Sequence, residues 1–172
     1  NGIGLQIAKE LSNLKYELVL HYNSTVDNLK KNFGSSHDNI HYIQADLSND
    51  KGADFLHEET LKKIGMPDAI INNAGIAESS PIERDINLWA KEFDETINVN
   101  LKSPAIICNQ FISYKRTQKI DKKLRIVNIA SRAAFGGEVE DFISYASSKG
   151  GLISLTETIA RSFGKRDNVL AF

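Results

Sequence analysis

The sequence predicts an α/β chain built on a doubly wound parallel sheet, and three observations carry that reading. Helix-like and strand-like apolar periodicities alternate along the chain. The strand candidates are short apolar runs, as expected of strands covered on both faces. A polar residue stands just past the end of each of the first four runs.

Ile3, Ile7, Leu11 and Leu14 recur at three- and four-residue steps, the stripe of an amphipathic helix packed on a sheet. Residues 17–22 form a short apolar run closed by Asn23-Ser24-Thr25, a buried strand that leads into a loop. A helix is expected over 26–33, closed by Gly34-Ser35-Ser36, and a strand over 40–45 with Asp46 at its exit. Residues 50–64 read as a helix stopped by Gly65 and Pro67. Ala69-Ile70-Ile71 runs into Asn72-Asn73-Ala74-Gly75, a third strand and its exit loop, and Pro81 breaks the polar stretch 77–85. A long helical region covers about 88–119, with Pro104 marking a new start inside it. Residues 124–130 make a fourth strand followed by Ser131. The helix over about 144–163 carries Leu152, Leu155, Ile159 and Phe163 on one stripe, and 169–172 opens a further strand.

The 172 residues, 41% hydrophobic and 25% charged, suffice for one domain with a sizeable core and are too few for two. The 21 Lys and Arg nearly cancel the 22 Asp and Glu, so the basic excess of a general nucleic-acid binder is missing. No run approaches the roughly 18 apolar residues of a membrane span, and aliphatic residues throughout argue against disorder. A single cysteine, Cys108, cannot form an internal disulfide or a Cys-based zinc site, which fits a reducing cytoplasm. The only methionine is Met66 and the chain opens within a glycine turn, as expected of an interior stretch of a longer protein. Residues 1–172 are then a single incomplete domain, truncated at both ends. His21, His37, His41 and His57 lack the spacing and acidic company of a metal site, so no metal is expected. Cys108 and Trp89 read as packing residues.

Doubly wound sheets hold ligands beyond the carboxyl ends of their strands, so Asn23, Asp46, Asn73 and Ser131 point to one rim. Gly2-Ile3-Gly4 opens the first helix, where glycines let a backbone approach a pyrophosphate and the helix N-terminus favours negative charge. An ordinary turn would use the same residues. Asn72-Asn73-Ala74-Gly75 suits hydrogen bonding to a ligand and to neighbouring strands, and equally suits turn chemistry. Tyr145 and Lys149, four apart on a helix, share one face with Cβ atoms about 5–6 Å apart. A phenol titrates near 10, too high for easy proton exchange at neutral pH, and a neighbouring ammonium favours the phenolate.

Together these motifs resemble the classical short-chain dehydrogenase/reductases. Gly2-Ile3-Gly4 looks like the end of that family's Thr-Gly-x-x-x-Gly-Ile-Gly turn, and Asp46-Leu47 matches the acidic position that holds the adenine ring. Asn72 to Gly75 matches the Asn-Asn-Ala-Gly signature, with Asn73, Ala74 and Gly75 on the cofactor side, and Asn100 falls on the family's helix asparagine. Ser131, Tyr145 and Lys149 complete the tetrad in the family's order. The resemblance covers essentially the whole chain and implies a Rossmann-like fold. It departs in three places: the first strand and first fingerprint glycine are missing, the final strand stops before the Pro-Gly loop, and the Ser131–Tyr145 interval is about one residue longer than the commonest form.

The resemblance implies hydride transfer between a nicotinamide cofactor and a carbonyl/alcohol pair. Tyr145 is then the general acid in reduction, and Lys149 lowers the tyrosine pKa and holds the nicotinamide ribose. Ser131 donates to the carbonyl oxygen, and Asn100 holds a water linking Lys149 to solvent. The second strand ends at Tyr22 before Asn23-Ser24-Thr25, with no acid before Asp27. An acid there would accept from the ribose 2′-hydroxyl of NAD(H), so its absence favours NADP(H). Family members commonly pair the helix at 100–115 and the helix carrying Tyr145 across two-fold axes, so a homodimer or homotetramer is expected. The strand over 18–24 looks most like the 3-oxoacyl-acyl carrier protein reductases and their sugar- or steroid-reducing relatives, so the expected substrate is a small carbonyl or acyl thioester. A general small-carbonyl or sugar dehydrogenase of the same family and a non-catalytic dinucleotide-binding sensor are the alternatives. Six bases, Lys115, Arg116, Lys119, Lys122, Lys123 and Arg125, face one acid, Asp121, over 115–125. They make acyl carrier protein a candidate partner by electrostatic steering. They also suit a helix C-terminus, and Glu138, Glu140 and Asp141 near Tyr145 would repel an acidic partner.

Overall fold

A computed structural model describes residues 2–34 and 39–172. The expected turn at Ser35-Ser36 and the surface position of His37 lie outside the described residues. The elements run α1 (Gly2–Asn13), β1 (Leu18–Tyr22), α2 (Asp27–Phe33), β2 (Ile40–Gln44), α3 (Asp50–Ile64), β3 (Ala69–Asn72) and α4 (Ile86–Ile97). A π-helical turn (Asn98–Lys102), α5 (Ser103–Thr117), β4 (Leu124–Asn128), α6 (Ala133–Gly136), a 3-10 turn (Glu140–Phe142), α7 (Ile143–Asp167) and β5 (Val169–Ala171) follow.

Every strand pair is parallel, with Leu18 opposite Ile40 in β1–β2, Ile70 opposite Ile126 in β3–β4, and Ile126 opposite Ala171 in β4–β5. The strands form two ladders, β1-β2 and β3-β4-β5. A doubly wound sheet has the order 3-2-1-4-5-6. Among the described residues the five strands fit places 3-2 and 4-5-6 of that order, with no pairing between the two ladders. Within each ladder the carboxyl ends point one way, so the exits after β1 and β2 lie together, as do those after β3 and β4.

Each ladder has its own core. Leu124, Ile126 and Val169 have almost no exposed surface and pack with Ile107, Cys108, Phe111 and Ile112 of α5 and Ile159 of α7. Leu155 and Phe163 border that cluster, so the apolar stripe of α7 packs as the periodicity predicts. Ala8, Leu18, Phe33 and Ile40 form the second cluster, flanked by Leu5 and Leu11. Here the expected stripe of α1 needs correction, because Ile3 is 63% exposed and Leu14 68% exposed. Ile3 and Leu5 lie about 200° apart around the helix axis, and it is Leu5, with Ala8 and Leu11, that meets β1. Leu14 follows the last helical residue, and Lys15 (φ 64°) turns the chain away in the left-handed region.

The long helical region predicted over 88–119 begins at Ile86 and is interrupted. Asp85 caps it by accepting from the amides of Asn87 and Leu88 at 3.1 and 3.2 Å. The π turn widens the helix, with the Ser103 amide reaching back to the Asn98 carbonyl, and Pro104 opens the next segment. Trp89 stacks on Phe93 at 5.3 Å, a packing contact. No helix among the described residues is long and apolar enough to cross a membrane.

The six bases of 115–125 do not form one free patch. Lys115 is buried and its amine donates to the Ile120 carbonyl, because the loop folds back over the end of α5. Lys122 lies 2.9 Å from Asp68. Arg116 donates to both carboxylate oxygens of Asp167, at 2.9 and 2.7 Å, and lies over the Phe163 ring. The remaining bases precede or enter β4 at its amino end, opposite the rim that Ser131 occupies.

The Arg116–Asp167 pair ties the ends of α5 and α7 together. Hydrogen bonding from Arg116 pulls the Asp167 carboxyl down to about 2 from 3.8. A depressed carboxylate contributes stability that is present above its unfolded pKa and lost as pH falls through the folded value. Asp167→Asn should therefore melt at a lower temperature than the parent near neutral pH, with the gap closing between pH of about 4 and about 2. Thermal unfolding across that range is the check.

Candidate active site

The π turn presents Asn100 to the interior, where the residue is 0% exposed. Its Nδ2 donates to the Ile76 carbonyl at 2.8 Å and to Ser148 Oγ at 3.1 Å, and its Oδ1 accepts from the Ile76 amide at 2.8 Å. Both amide hydrogens are therefore spent on protein partners. A buried primary amide left without partners costs about 1–3 kcal/mol. The same bonds clamp the loop after β3 against α7.

Lys149 is the hub of the site. It projects from α7 into a buried position where its Nζ donates to the Ile129 carbonyl at 2.8 Å, two residues before Ser131. The same Nζ lies 5.8 Å from the centroid of the Tyr145 ring. Burial pushes the Lys149 pKa down, since desolvation disfavours the ammonium. Gly75 adjoins both groups: a Cβ there would lie 3.2 Å from Asn100 Oδ1 and 3.6 Å from Lys149 Nζ. Ser131 Oγ accepts from the Ala133 amide at 3.2 Å, an arrangement that leaves its hydroxyl hydrogen available to donate. The structure thus gathers Asn100, Gly75, Lys149, Tyr145 and the chain leading to Ser131 around one amine.

The opening of α1 reaches the same rim. Gly2 has φ +57°, the left-handed region that favours glycine, and Gly4 packs so closely on the loop after β3 that a Cβ would stand 2.5 Å from Asn73 Nδ2. Ile3 is exposed beside them, and Ala74 borders the main core. Asn23 and Ser24 are exposed at the exit of β1, where Gln44 Nε2 donates to the Asn23 carbonyl at 2.9 Å. Asp46, at the exit of β2, accepts from the Ser48 amide at 2.9 Å and from Asn49 Nδ2 at 3.1 Å. The Ser48 bonds come first among the causes that lower its pKa. Leu47, next to Asp46, buries its side chain in the core, and its carbonyl accepts from Ser103 Oγ at 2.8 Å. Only its main chain can face a ligand.

The bond from Asn72 to a neighbouring strand is one the Asn-Asn-Ala-Gly motif suits, and three features extend beyond what the motifs indicate. Asn72 Nδ2 donates to Asn128 Oδ1 at 2.8 Å, and Asn128 Nδ2 donates to Thr156 Oγ1 at 2.7 Å, a polar chain that crosses from β3 through β4 to α7. An asparagine inside the apolar run 124–130 is the signal for it, because a buried amide needs partners. Ser148 is 0% exposed and stands four residues before Leu152, on the inward stripe of α7. Gly52 admits α3 against β2, since a Cβ there would meet the Asp46 carbonyl oxygen at 1.7 Å. The other singled-out residues play local parts. His21 Nε2 lies 2.8 Å from the Ala45 carbonyl oxygen and His57 stacks edge-on against Phe111. His41 does have acidic company, Glu17 at 3.0 Å. Burial raises the Cys108 thiol to about 11.

The sequence profile of the short chain dehydrogenase family matches residues 1–170. The chain belongs to that family. It is 34% identical over 121 residues to the (2S)-[(R)-hydroxy(phenyl)methyl]succinyl-CoA dehydrogenase subunit of Thauera aromatica, covering 70% of this chain and 46% of that protein. It is 25% identical over 172 residues to an acetoacetyl-CoA reductase of an Acinetobacter species, covering 98% of this chain and 66% of the relative. Among solved structures, a 4-hydroxyisoleucine dehydrogenase complexed with NADH superposes with a TM-score of 0.84 at 29% identity, covering 99% of this chain and 66% of the other. The chain thus spans about half to two-thirds of the length of these relatives.

Two of the glycine contacts should separate in stability. In Gly52→Ala the new Cβ meets backbone, so overpacking should destabilise the protein by about 1–3 kcal/mol or more. In Gly4→Ala it meets only the free end of the Asn73 side chain, and the gain in helix propensity offsets the contact to within about 1 kcal/mol. Urea unfolding of the two variants against the parent reads the difference.

Proposed function

We propose that the protein of which this chain forms the described part reduces a small carbonyl compound to an alcohol, reversibly, with a nicotinamide dinucleotide. The supporting observation is the placement of Lys149, whose amine joins the carbonyl two residues before Ser131, the Tyr145 ring and the Gly75–Asn100 contact. The rim fits such a cofactor. Gly4, in the first turn of α1, packs so closely on Asn73 that a Cβ there would stand 2.5 Å from its Nδ2, Gly2 before it has φ +57°, and a helix N-terminus favours a pyrophosphate.

The bound nicotinamide supplies the hydride. Tyr145 gives its phenolic proton to the carbonyl oxygen as the carbon is reduced, and takes it back in the reverse direction. Ser131, its oxygen already accepting from Ala133, donates its hydroxyl hydrogen to the same carbonyl oxygen and stabilises the charge that develops there. Lys149 spends one N–H on Ile129 and keeps two for the nicotinamide ribose and the phenol side of the site. Asn100 holds the Ile76 loop against α7. A relay water on Asn100 would have to use an oxygen, since both side-chain amide hydrogens are engaged. Asp46 and the Leu47 main chain would hold the adenine end of the cofactor, and Asn73, Ala74 and Gly75 would line its path. Tyr145→Phe in the full-length protein should lower kcat by at least about a hundredfold, the scale of general acid catalysis. Turnover near the parent level would remove this reading.

The preferred cofactor in this proposal is NADP(H). The exposed Asn23-Ser24 loop carries no carboxylate to accept from a ribose 2′-hydroxyl, and so leaves room for a 2′-phosphate. The expected kcat/KM for NADPH exceeds that for NADH by about tenfold or more, equivalent to about 1.4 kcal/mol. Steady-state rates with both cofactors decide it.

An acyl thioester is the substrate class we favour, since two relatives are named for reactions of acyl-CoA thioesters. Docking of acyl carrier protein on the bases of 115–125 has less support. Lys115 is buried, Arg116 and Lys122 are ion-paired, and the segment stands at the amino end of β4. A homodimer or homotetramer through α5 and α7 belongs to the same reading.

A further inference from the structure

We propose that Ser148 is a positioning residue for the reaction, fixing the turn of α7 that carries Tyr145 and Lys149; this rests on the reductase reading above. Ser148 has no exposed surface. Its hydroxyl donates to the Tyr145 carbonyl at 2.7 Å and accepts from Asn100 Nδ2 at 3.1 Å. Asn100 in turn holds both backbone groups of Ile76, the residue after Gly75. One hydroxyl therefore joins three segments: the loop after β3, the π turn, and the first turns of α7.

The position of the bond explains its effect. α7 begins at Ile143 without a side-chain cap, so the turn that bears Tyr145 is not fixed by a capping group at its start. Ser148 takes up the carbonyl of Tyr145 itself and connects it to a fully buried amide that cannot move without breaking two bonds to Ile76. An alanine at this position leaves the packing and helix propensity of α7 almost untouched but strands one hydrogen of Asn100 Nδ2. The Tyr145 carbonyl and the Asn100 amide then lose their common reference, and the phenol drifts relative to Ser131 and Lys149. Ser148 touches neither substrate nor cofactor in this scheme, so its removal acts on the chemical step through geometry.

The test uses the full-length protein with Ser148→Ala, Ser148→Thr and Ser148→Cys, and with Asn100→Ala alone and combined with Ser148→Ala. Ser148→Ala should lower kcat between about tenfold and a hundredfold, as misplacement of a catalytic group by about 1 Å does. The KM for the nicotinamide should stay within about twofold, a change worth under 1 kcal/mol. Ser148→Thr, which keeps the hydroxyl, should recover most of the rate. The double variant should be little slower than the worse of its two parents, the non-additivity expected of groups acting as one unit. Unchanged kcat in a folded Ser148→Ala protein overturns the proposal, as does Ser148→Thr as slow as Ser148→Ala. If Ser148→Ala does not fold, Thr against Cys decides: a fast Thr and slow Cys, with its weaker S–H donor, support it, and equal rates overturn it. Full turnover in Ser148→Ala with none in Tyr145→Phe defeats this inference alone, whereas full turnover in Tyr145→Phe defeats the reductase reading beneath it.

Discussion

An asparagine side chain buried among polar backbone groups is a severe constraint on a fold, because each of its hydrogens must find an acceptor where water cannot substitute. Asn100 meets that constraint with the two backbone groups of Ile76 and the hydroxyl of Ser148. Much of the rim follows from it. The loop after β3 lies against α7, Gly75 leaves Asn100 a close approach since a Cβ there would stand 3.2 Å from its Oδ1, and α7 begins where Ser148 reaches Asn100. The π turn is the local consequence, since the widened helix turns Asn100 inward at the point where α4 gives way to α5.

A second polar chain, Asn72–Asn128–Thr156, does similar work one layer deeper. It fixes the register of β3 on β4 and of β4 on α7 with side-chain bonds in addition to the ladder. The aliphatic residues around it, Leu124, Ile126, Val169 and Ile159, supply burial without direction. Direction comes from the amides, and the amides set where the strands end. The catalytic candidates sit at those ends, so the precision of the site is inherited from hydrogen bonds made below it rather than from contacts among Ser131, Tyr145 and Lys149 themselves.

The same division separates the rim from the opposite edge. At the amino end of β4 the bases are absorbed into the fold: Lys115 by a carbonyl, Arg116 by Asp167 and an aromatic face, Lys122 by Asp68. Three of the six cations become part of a seam between α5, α7 and the β3–β4 ladder, while Lys119, Lys123 and Arg125 stay exposed. Charge counted along a chain is therefore a poor measure of charge presented to a partner.

The sequence alone determined the alternation of helices and strands, the parallel pairing and which polar residues are candidates for the rim, because periodicity and motif spacing are local properties of the chain. Residues 50–64 form the helix their pattern predicts, and the stripe of Leu152, Leu155, Ile159 and Phe163 packs as expected. Tertiary structure decided which of two overlapping stripes on α1 is buried, leaving Ile3 and Leu14 in solvent. It also decided that Leu47 turns its side chain inward, that Lys115 is covered, and that Ser148, unlike its exposed neighbour Ser147, is buried against Asn100. Two of these involve a partner distant in sequence, Ser103 for Leu47 and Asn100 for Ser148, 56 and 48 residues away, while Lys115 is met by the Ile120 carbonyl as the loop folds back. A residue's type states which bonds it needs, and only the folded chain supplies the group that satisfies them.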